Sequence, residues 1–176
     1  AQEGFKPSGA SPYGIELKMH NPRVDIDNPV LCADKPWEEW RTGSYQSLAK
    51  VGNKYKCWYE SYGTWKDYYL CLCYAESDDG LNWTKPNLGI IEFRGSKKNN
   101  IVDIDSHDHG YFVMYEEDAP EEEKYKMVFT HIYQDEAGKK HTETMGAVSA
   151  DGLHWNKFDK PFFDGGDTNL ALANRG

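Results

Sequence analysis

The chain has no long apolar run and no cluster of basic side chains. No stretch approaches the roughly 20 apolar residues that a helix needs to span a bilayer. Its 20 Lys and Arg are outnumbered by 29 Asp and Glu, which gives a net charge of −9. Nucleic acid and anionic membrane surfaces are bound by clustered positive charge. We therefore expect no membrane span and no nucleic-acid partner.

Cysteine is scarce, and the usual metal-binding spacing Cys-x-x-Cys is absent. The four cysteines are Cys32, Cys57, Cys71 and Cys73. Cys71 and Cys73 lie two apart on one predicted strand, so they point to the same face and are not expected to pair with each other. A cross-strand bond from Cys57 to either of them is one alternative. We favour the other, in which these three thiols are small buried apolar side chains.

The first residues, Ala1 and Gln2, include no methionine. Such a start suits a mature protein after removal of a signal peptide, or a shortened chain. An even number of cysteines suits an oxidising compartment. Together these features predict a secreted protein, extracellular or periplasmic.

Two sequence segments recur in the same order. Residues 54–59 (KYKCWY) are echoed by 124–129 (KYKMVF), and residues 77–83 (SDDGLNW) by 149–155 (SADGLHW). The offsets are 70 and 72 residues. A period of this length indicates a repeated supersecondary unit that buries its apolar face by stacking on its copies.

Each repeat reads as four short strands, and helical periodicity is hard to find anywhere. Turn signals such as Gly52-Asn53 separate alternating segments rich in aromatic residues. The predicted strands are 44–51, 54–62, 68–76 and 82–84 in the first repeat, and 110–116, 124–133, 141–149 and 154–157 in the second. Four antiparallel strands per unit, repeated radially, are typical of β-propeller blades. The sequence therefore predicts an all-β fold.

The repeat sets the expected organisation of the chain. Residues 1–43 would form an N-terminal arm and a loop that leads into the first blade. Residues 44–100 would be the first blade and its connection, and 101–164 the second blade. Residues 165–176 would begin a third.

The repeated Ser-x-Asp-Gly-x-x-Trp segment has a structural interpretation. The Asp side chain accepts hydrogen bonds from amides two residues on, Gly supplies the turn, and Trp fills the seam between blades. We therefore assign no catalysis to the repeated residues, which are Asp79, Gly80, Trp83, Asp151, Gly152 and Trp155.

Several stretches resemble bacterial secreted proteins of the five-bladed propeller superfamily, which includes glycoside hydrolase families 32 and 43. They are 73–89 (CYAESDDGLNWTKPNLG), 95–102 (GSKKNNIV), 118–120 (DAP) and 166–169 (GDTN). The resemblance implies a partial five-bladed β-propeller with four-stranded antiparallel blades. Five such blades need roughly 350 residues. The chain is then a fragment, or copies of it associate through open blade edges.

The resemblance also implies carboxylates at the mouth of the central channel, where inner strands begin. Hydrolysis of a glycoside uses one carboxyl group as acid and another as nucleophile or base. The sequence departs from family 32 at residues 44–47, where SYQS replaces the family's Asn-Asp-Pro-Asn-Gly. Glu38 or Glu39 could supply the missing carboxylate from the preceding loop, or both are solvated. We place Glu39 and Trp40 at the funnel rim, in contact with substrate.

Titratable side chains are densest in residues 103–110 (DIDSHDHG). In an extended segment Asp103, Asp105, His107 and His109 would share one face, with Asp108 on the other. Three alternatives stay open for this segment: a sugar site, a metal site or a polar turn between blades. For the sugar site, Asp108 is a catalytic carboxylate, and His107 and His109 bind substrate.

Gly165 and Gly166 precede Asp167, which would point into the channel as a catalytic or pKa-tuning carboxylate. The resemblance thus implies a secreted glycoside hydrolase that acts on carbohydrate. It implies that the protein needs no cofactor. The alternative is a calcium ion near the propeller axis. The competing hypothesis is a non-catalytic carbohydrate-binding or extracellular structural module on the same scaffold, which the missing first-blade Asp favours.

Overall fold

The computed structural model describes residues 30–64, 69–105 and 107–165. These residues form ten β-strands and one 3-10 turn, Glu121–Glu123, and no α-helix. The predicted all-β fold is confirmed. Within these ranges no helix is long and apolar enough to cross a membrane.

The first sheet is an antiparallel meander that starts at Arg41. Its strands are β1 Arg41–Val51, β2 Lys54–Gly63, β3 Tyr69–Ser77, β4 Trp83–Thr84 and β5 Ile101–Ile104. The strand order is β1-β2-β3-β4, and β5 pairs with β3 beyond the short β4. The tight turn between β1 and β2 uses Gly52, whose φ is 58°, in the left-handed region that glycine enters at little cost.

The second sheet repeats this plan. Its strands are β6 Asp108–Tyr115, β7 Tyr125–Gln134, β8 Lys140–Ser149, β9 Asn156–Lys157 and β10 Phe163–Asp164. The order is β6-β7-β8-β10, with β9 also paired to β8. Two successive antiparallel four-strand meanders of this kind are consistent with two blades of a partial propeller.

Strand β5 lies in the first sheet, although our sequence boundary placed residue 101 at the start of the second blade. The amide of Tyr74 donates to the carbonyl of Asn100 at 2.9 Å, and the amide of Asp105 to that of Leu70 at 3.0 Å. Ile101 and Val102 are buried. The chain returns to the edge of β3 because these apolar side chains can be buried there.

The repeated Asp-Gly turn is built from the same hydrogen bonds in both sheets. Asp79 Oδ1 accepts from the amides of Leu81 and Asn82 at 2.8 and 2.7 Å. In the second sheet, Asp151 Oδ1 accepts from the two corresponding amides at 2.8 Å each. Gly80 and Gly152 share a φ of 78°. These residues are structural, as predicted.

One hydrophobic core lies in the seam between the two sheets. The first sheet contributes Trp58, Tyr62, Leu70, Leu72, Tyr74 and Val102, and the second contributes Tyr111, Val113, Tyr125, Met127, Phe129 and Ala147. Trp58 is 1% exposed, and its indole N–H donates to the carbonyl of Gly152 at 2.7 Å. A core shared in this way holds the two sheets together as one unit.

The opposite face of the first sheet is covered by loops of the same chain. Trp37 packs there, and its indole N–H donates to Asn100 at 2.8 Å. Glu38 is 2% exposed; its carboxylate accepts from Lys85 at 2.7 Å and from the Tyr59 hydroxyl at 2.7 Å. This buried ion pair explains Glu38 as a structural residue, so it is not a carboxylate available to a ligand.

Trp83 and Trp155 occupy equivalent places in their own sheets. Trp155 packs against the core between the sheets, as predicted. Trp83 packs against the matching face of the first sheet, which the covering loops occupy instead of another blade. Its indole N–H donates to the carbonyl of Gly80 at 3.0 Å. The repeat is therefore preserved although the two seams have different partners.

Cys57, Cys71 and Cys73 form no disulfide. These three cysteines are buried in the core behind the first sheet, and burial raises the pKa of Cys57 to about 12. The apolar interpretation of these three residues is confirmed, and the proposed cross-strand disulfide is wrong.

Candidate functional site

The inner strands of the two sheets, β1 and β6, lie side by side and begin at the same end. The amide of Tyr111 donates to Glu60 Oε1 at 3.1 Å, and the amide of Val113 donates to Ser47 Oγ at 2.9 Å. Glu60 lies opposite Ser44 on β1, so both strands advance in the same direction. We call the end where they begin the mouth.

Asp108 begins β6 and is held from two sides. Its side chain is 4% exposed; one oxygen lies 2.5 Å from His131 Nδ1 and the other 2.8 Å from Lys157 Nζ. Lys157 Nζ also lies 2.7 Å from Asp103. Burial alone would lower the pKa of Lys157, but the two carboxylates raise it. Asp108 thus contacts both Lys157 and His131 and fixes the position of the His131 ring.

The predicted alternation of faces in this segment is wrong. Asp103 and Asp108 converge on Lys157 instead of pointing to opposite faces. The reason is that β5 ends at Ile104 in one sheet and β6 begins at Asp108 in the other. A strand alternation argument holds only within one continuous strand.

His131 is a mouth residue that the sequence analysis missed. It lies directly opposite Asp108 in the register of β6 and β7, and its side chain is 34% exposed. This pairing could have been predicted by aligning the two predicted strands in an antiparallel register. Asp108 and His131 are then cross-strand neighbours.

Four rings form a row from the turn before β6 across the ends of β7 and β8. Successive centroids are 6.3 Å apart for His107 and His131, 5.8 Å for His131 and Tyr133, and 5.1 Å for Tyr133 and His141. Each ring pairs with a carboxylate; the pairs are His107 with Asp105, His131 with Asp108, Tyr133 with Glu143, and His141 with Asp135.

A pocket of about 530 Å³ lies beside this row. It is lined by His107, Ile132, Tyr133, Gln134 and Lys140. Imidazole, phenol, amide and ammonium groups around one cavity can donate and accept several hydrogen bonds at fixed positions. The arrangement suits a ligand with many hydroxyl groups.

Glu60 on β2 is buried next to the mouth and links the two sheets through a hydrogen bond with β6. It is fully buried, and its carboxyl group accepts from the Tyr62 hydroxyl and the Tyr111 amide. Burial raises its pKa, against these hydrogen bonds. The Tyr111 hydroxyl is buried nearby and finds no hydrogen-bond partner among the described residues. Burial raises the pKa of Tyr111 as well, and the charges of Asp103 and Asp108 add to this.

The other predicted residues lie at the same end. The His107 side chain is 61% exposed and lies 2.9 Å from Asp105. His109 is partly buried and lies opposite Thr130. Glu39 accepts from the Thr64 amide at 3.1 Å, and Trp40 is 67% exposed just before β1. The structure thus brings His107, Asp108 and His109 together and places Glu39 and Trp40 at the same end of the inner strands, on the first sheet.

The predicted catalytic residue Asp167 lies outside the described residues. No group of three or more His, Cys, Asp or Glu side chains in the described ranges is arranged to hold a metal ion. The catalytic and binding assignments stay predictions.

Comparisons with known proteins bear on the fold. No family model matches the chain, and no curated protein matches it. Among solved structures, a sucrose-6-phosphate hydrolase from Lactobacillus gasseri is similar, with 16% identity over 77% of this chain and a TM-score of 0.52. The chain spans 26% of that protein's length. At this identity the likeness concerns the fold alone, and it agrees with a part of a larger propeller.

A second solved structure is more distant. It comes from work on the GH130 family of mannoside phosphorylases, which contains glycoside hydrolases that target β-1,2 mannosidic linkages in Candida mannan. The identity is 12%, with 77% of this chain and 57% of the other covered. The TM-score of 0.38 is too low to support an argument.

Proposed function

We propose that the protein acts on carbohydrate, as a propeller of the glycoside hydrolase type with its site at the mouth. The observation that carries the proposal is the row of rings, each paired with a carboxylate, beside a pocket at the start of β6. Sugars offer hydroxyl groups to such polar side chains and C–H faces to flat rings.

Within this proposal the described residues of the mouth bind and orient the sugar. His131 has one ring nitrogen held by Asp108 and a side chain that is 34% exposed, so its other nitrogen can bond a sugar hydroxyl. Asp108 is 4% exposed and already contacts His131 and Lys157. Its contacts favour a positioning role through His131 over direct attack on the sugar.

Hydrolysis then requires a carboxylate that reaches the sugar, and Asp167 is our candidate. The test is a glycan array followed by turnover assays with sucrose, sucrose 6-phosphate and the oligosaccharide that binds best. We expect Asp167→Asn to abolish turnover and leave binding intact. Full turnover in that variant would remove Asp167 from the mechanism, and a wild-type protein that binds no glycan would overturn the proposed function.

A second candidate is a non-catalytic carbohydrate-binding module. It is favoured by the carboxylates around the start of β6, which are already engaged within the protein. Asp103 and Asp108 contact Lys157, Asp105 contacts His107, and the buried Glu60 accepts from the Tyr111 amide. Binding without turnover by the wild-type protein would select this candidate.

Location outside the cytoplasm also stays a prediction. The three buried thiols Cys57, Cys71 and Cys73 give it no support, because an oxidising compartment favours disulfides. Fractionation of the source cells would decide it.

A further inference from the structure

Both inner strands contain the same β-bulge. On β1, Ser44 pairs with Glu60 and Ser47 pairs with Trp58. Two residues, Tyr45 and Gln46, therefore lie opposite a single residue of β2. Two residues against one is the definition of a bulge, and bulges commonly re-aim side chains next to active sites.

On β6 the irregularity recurs at the equivalent place. His109 pairs with Thr130 and Phe112 pairs with Val128, so two residues again lie opposite one. The partner residues Thr130 and Val128 correspond to Glu60 and Trp58 at the repeat offset of 70 residues. The first bulge residue is then Tyr45 in one repeat and Gly110 in the other.

The two equivalent residues adopt the same left-handed backbone. Gly110 has a φ of 66° and Tyr45 a φ of 48°. Glycine enters this region freely, whereas a side chain with a Cβ is strained there. The second repeat has the residue that this bulge type ordinarily carries at its first position. The first repeat carries a strained tyrosine instead.

Tyr45 is an exposed residue without polar partners in the described part of the chain. It is 37% exposed, and among the described residues no hydrogen bond or ring contact of Tyr45 is found. The ring lies near the start of β1, the end at which Trp40 is 67% exposed and the His107 side chain is 61% exposed. Residues held in a strained backbone conformation cluster at sites of function.

We infer that Tyr45 is a substrate-binding residue, which stacks its ring on a sugar unit at the first-sheet side of the mouth. This inference rests on the proposed function and assigns that site a second wall, opposite the row of rings on the second sheet. The bulge turns the ring out of the regular alternation of β1, and the ligand repays the strain. A carbohydrate is the ligand class, because C–H faces of a sugar stack on a phenol ring while its hydroxyl groups bond the phenol oxygen.

The test separates strain from binding with two variants. Tyr45→Gly removes the ring and relieves the strained backbone, so we expect a higher denaturation midpoint and an affinity for the best glycan of the array that is lower by about tenfold, the loss that a ring contact of roughly 1.4 kcal/mol predicts. Tyr45→Phe keeps both ring and strain, so we expect affinity within about threefold of wild type, the loss of one modest hydrogen bond at most.

Leu48→Ala is the matched control, since Leu48 is 65% exposed on the same strand and should leave affinity unchanged. If Tyr45→Gly binds the glycan as well as wild type, the role of Tyr45 is wrong while the proposed function stands. A lower midpoint in Tyr45→Gly would show that the ring packs, which also overturns the inference. If wild-type protein binds no glycan, both the inference and the proposed function are overturned.

Discussion

At the scale of single residues, Glu60 and Lys157 are charged groups that bridge the two blades. Glu60 belongs to β2 and accepts from the amide of Tyr111 on β6. Lys157 belongs to β9 and contacts Asp103 on β5 as well as Asp108 on β6. Glu60 is buried and Lys157 is partly exposed, and ionisable groups away from water are retained only when partners satisfy them, so each fixes the position of its neighbours at the mouth.

We predict that Glu60→Gln makes stability less sensitive to pH. Burial raises the folded pKa of Glu60 above its ordinary value of 4.5. The free energy of unfolding that Glu60 contributes is therefore fully present below the pKa of the unfolded chain. It is lost as pH rises through the pKa of the folded protein. The variant should therefore gain stability relative to the parent as pH rises above about 4.5, and the gain should grow until the pH has passed the folded pKa of Glu60.

Urea denaturation at several pH values would measure this gain. Glu122→Gln is the matched control, because Glu122 is exposed in the 3-10 turn and the change of charge is the same. A gain of equal size in both variants, or none in Glu60→Gln, would contradict the prediction.

We predict that Lys157→Met destabilises the protein by on the order of 2 kcal/mol at neutral pH. The substitution leaves Asp103 and Asp108 without their shared cation. The loss should be smaller than for a fully buried pair, because the Lys157 side chain is 37% exposed and solvent screens it. Chemical denaturation measures the loss, and Lys160→Met, an exposed residue nearby, is the control that should change little.

At the scale of elements, the two Asp-Gly turns have the same backbone and different surroundings. A Cβ on Gly152 would lie 2.7 Å from Trp58 and 3.0 Å from Tyr125, whereas one on Gly80 would meet only Tyr55, at 3.9 Å. Partial burial alone would raise the pKa of Asp151, but hydrogen bonds from His154 and Leu153 lower it to about 2. The turn of the second sheet is thus also part of the seam.

We predict that Gly152→Ala costs more than Gly80→Ala. Both substitutions put a Cβ in a backbone of φ 78°, which costs about 1–2 kcal/mol. Only Gly152→Ala forces Trp58 to move, which adds roughly 1–3 kcal/mol. Thermal and urea denaturation of the two variants side by side measure the difference, and equal losses would show that the seam tolerates the extra methyl group.

At the scale of the whole molecule, the two blades share one core, and the far side of the second blade exposes aromatic side chains. Phe158, Phe162 and Phe163 are 40%, 54% and 58% exposed. On the first blade, the outer face is covered by Trp37 and the loops around it. In the described part of the molecule, the outer face of the first sheet is therefore covered by loops, whereas the outer face of the second sheet carries exposed aromatic side chains.

We predict that copies of this chain associate through the second blade. Exposed aromatic side chains beside a short edge strand favour contact with a further sheet. Sedimentation equilibrium should show a mass that rises with concentration, and Phe163→Ser on β10 should reduce the rise. Leu81→Ser, which changes a residue 64% exposed in the first-sheet turn, should not. A mass independent of concentration in wild-type protein would refute self-association.

The repeated segments determined the all-β fold, the succession of four strands in each repeat and the hydrogen bonds of the Asp-Gly turns. These features depend on neighbours within a few residues or on the repeat offset, so the amino-acid order alone carries them. The density of acids and histidines in residues 103–110 also pointed to the mouth. Most of the predicted strands begin and end within about two residues of the observed ones, the precision expected of such boundaries.

Tertiary structure decided the rest. It placed β5 in the first sheet, brought His131 to Asp108, buried Glu38 with Lys85 and set Lys157 between two carboxylates. None of these contacts has a local sequence signal, because each depends on how one sheet or loop lies against another. Charged side chains many residues apart in the sequence become partners only when the fold brings their strands and loops together.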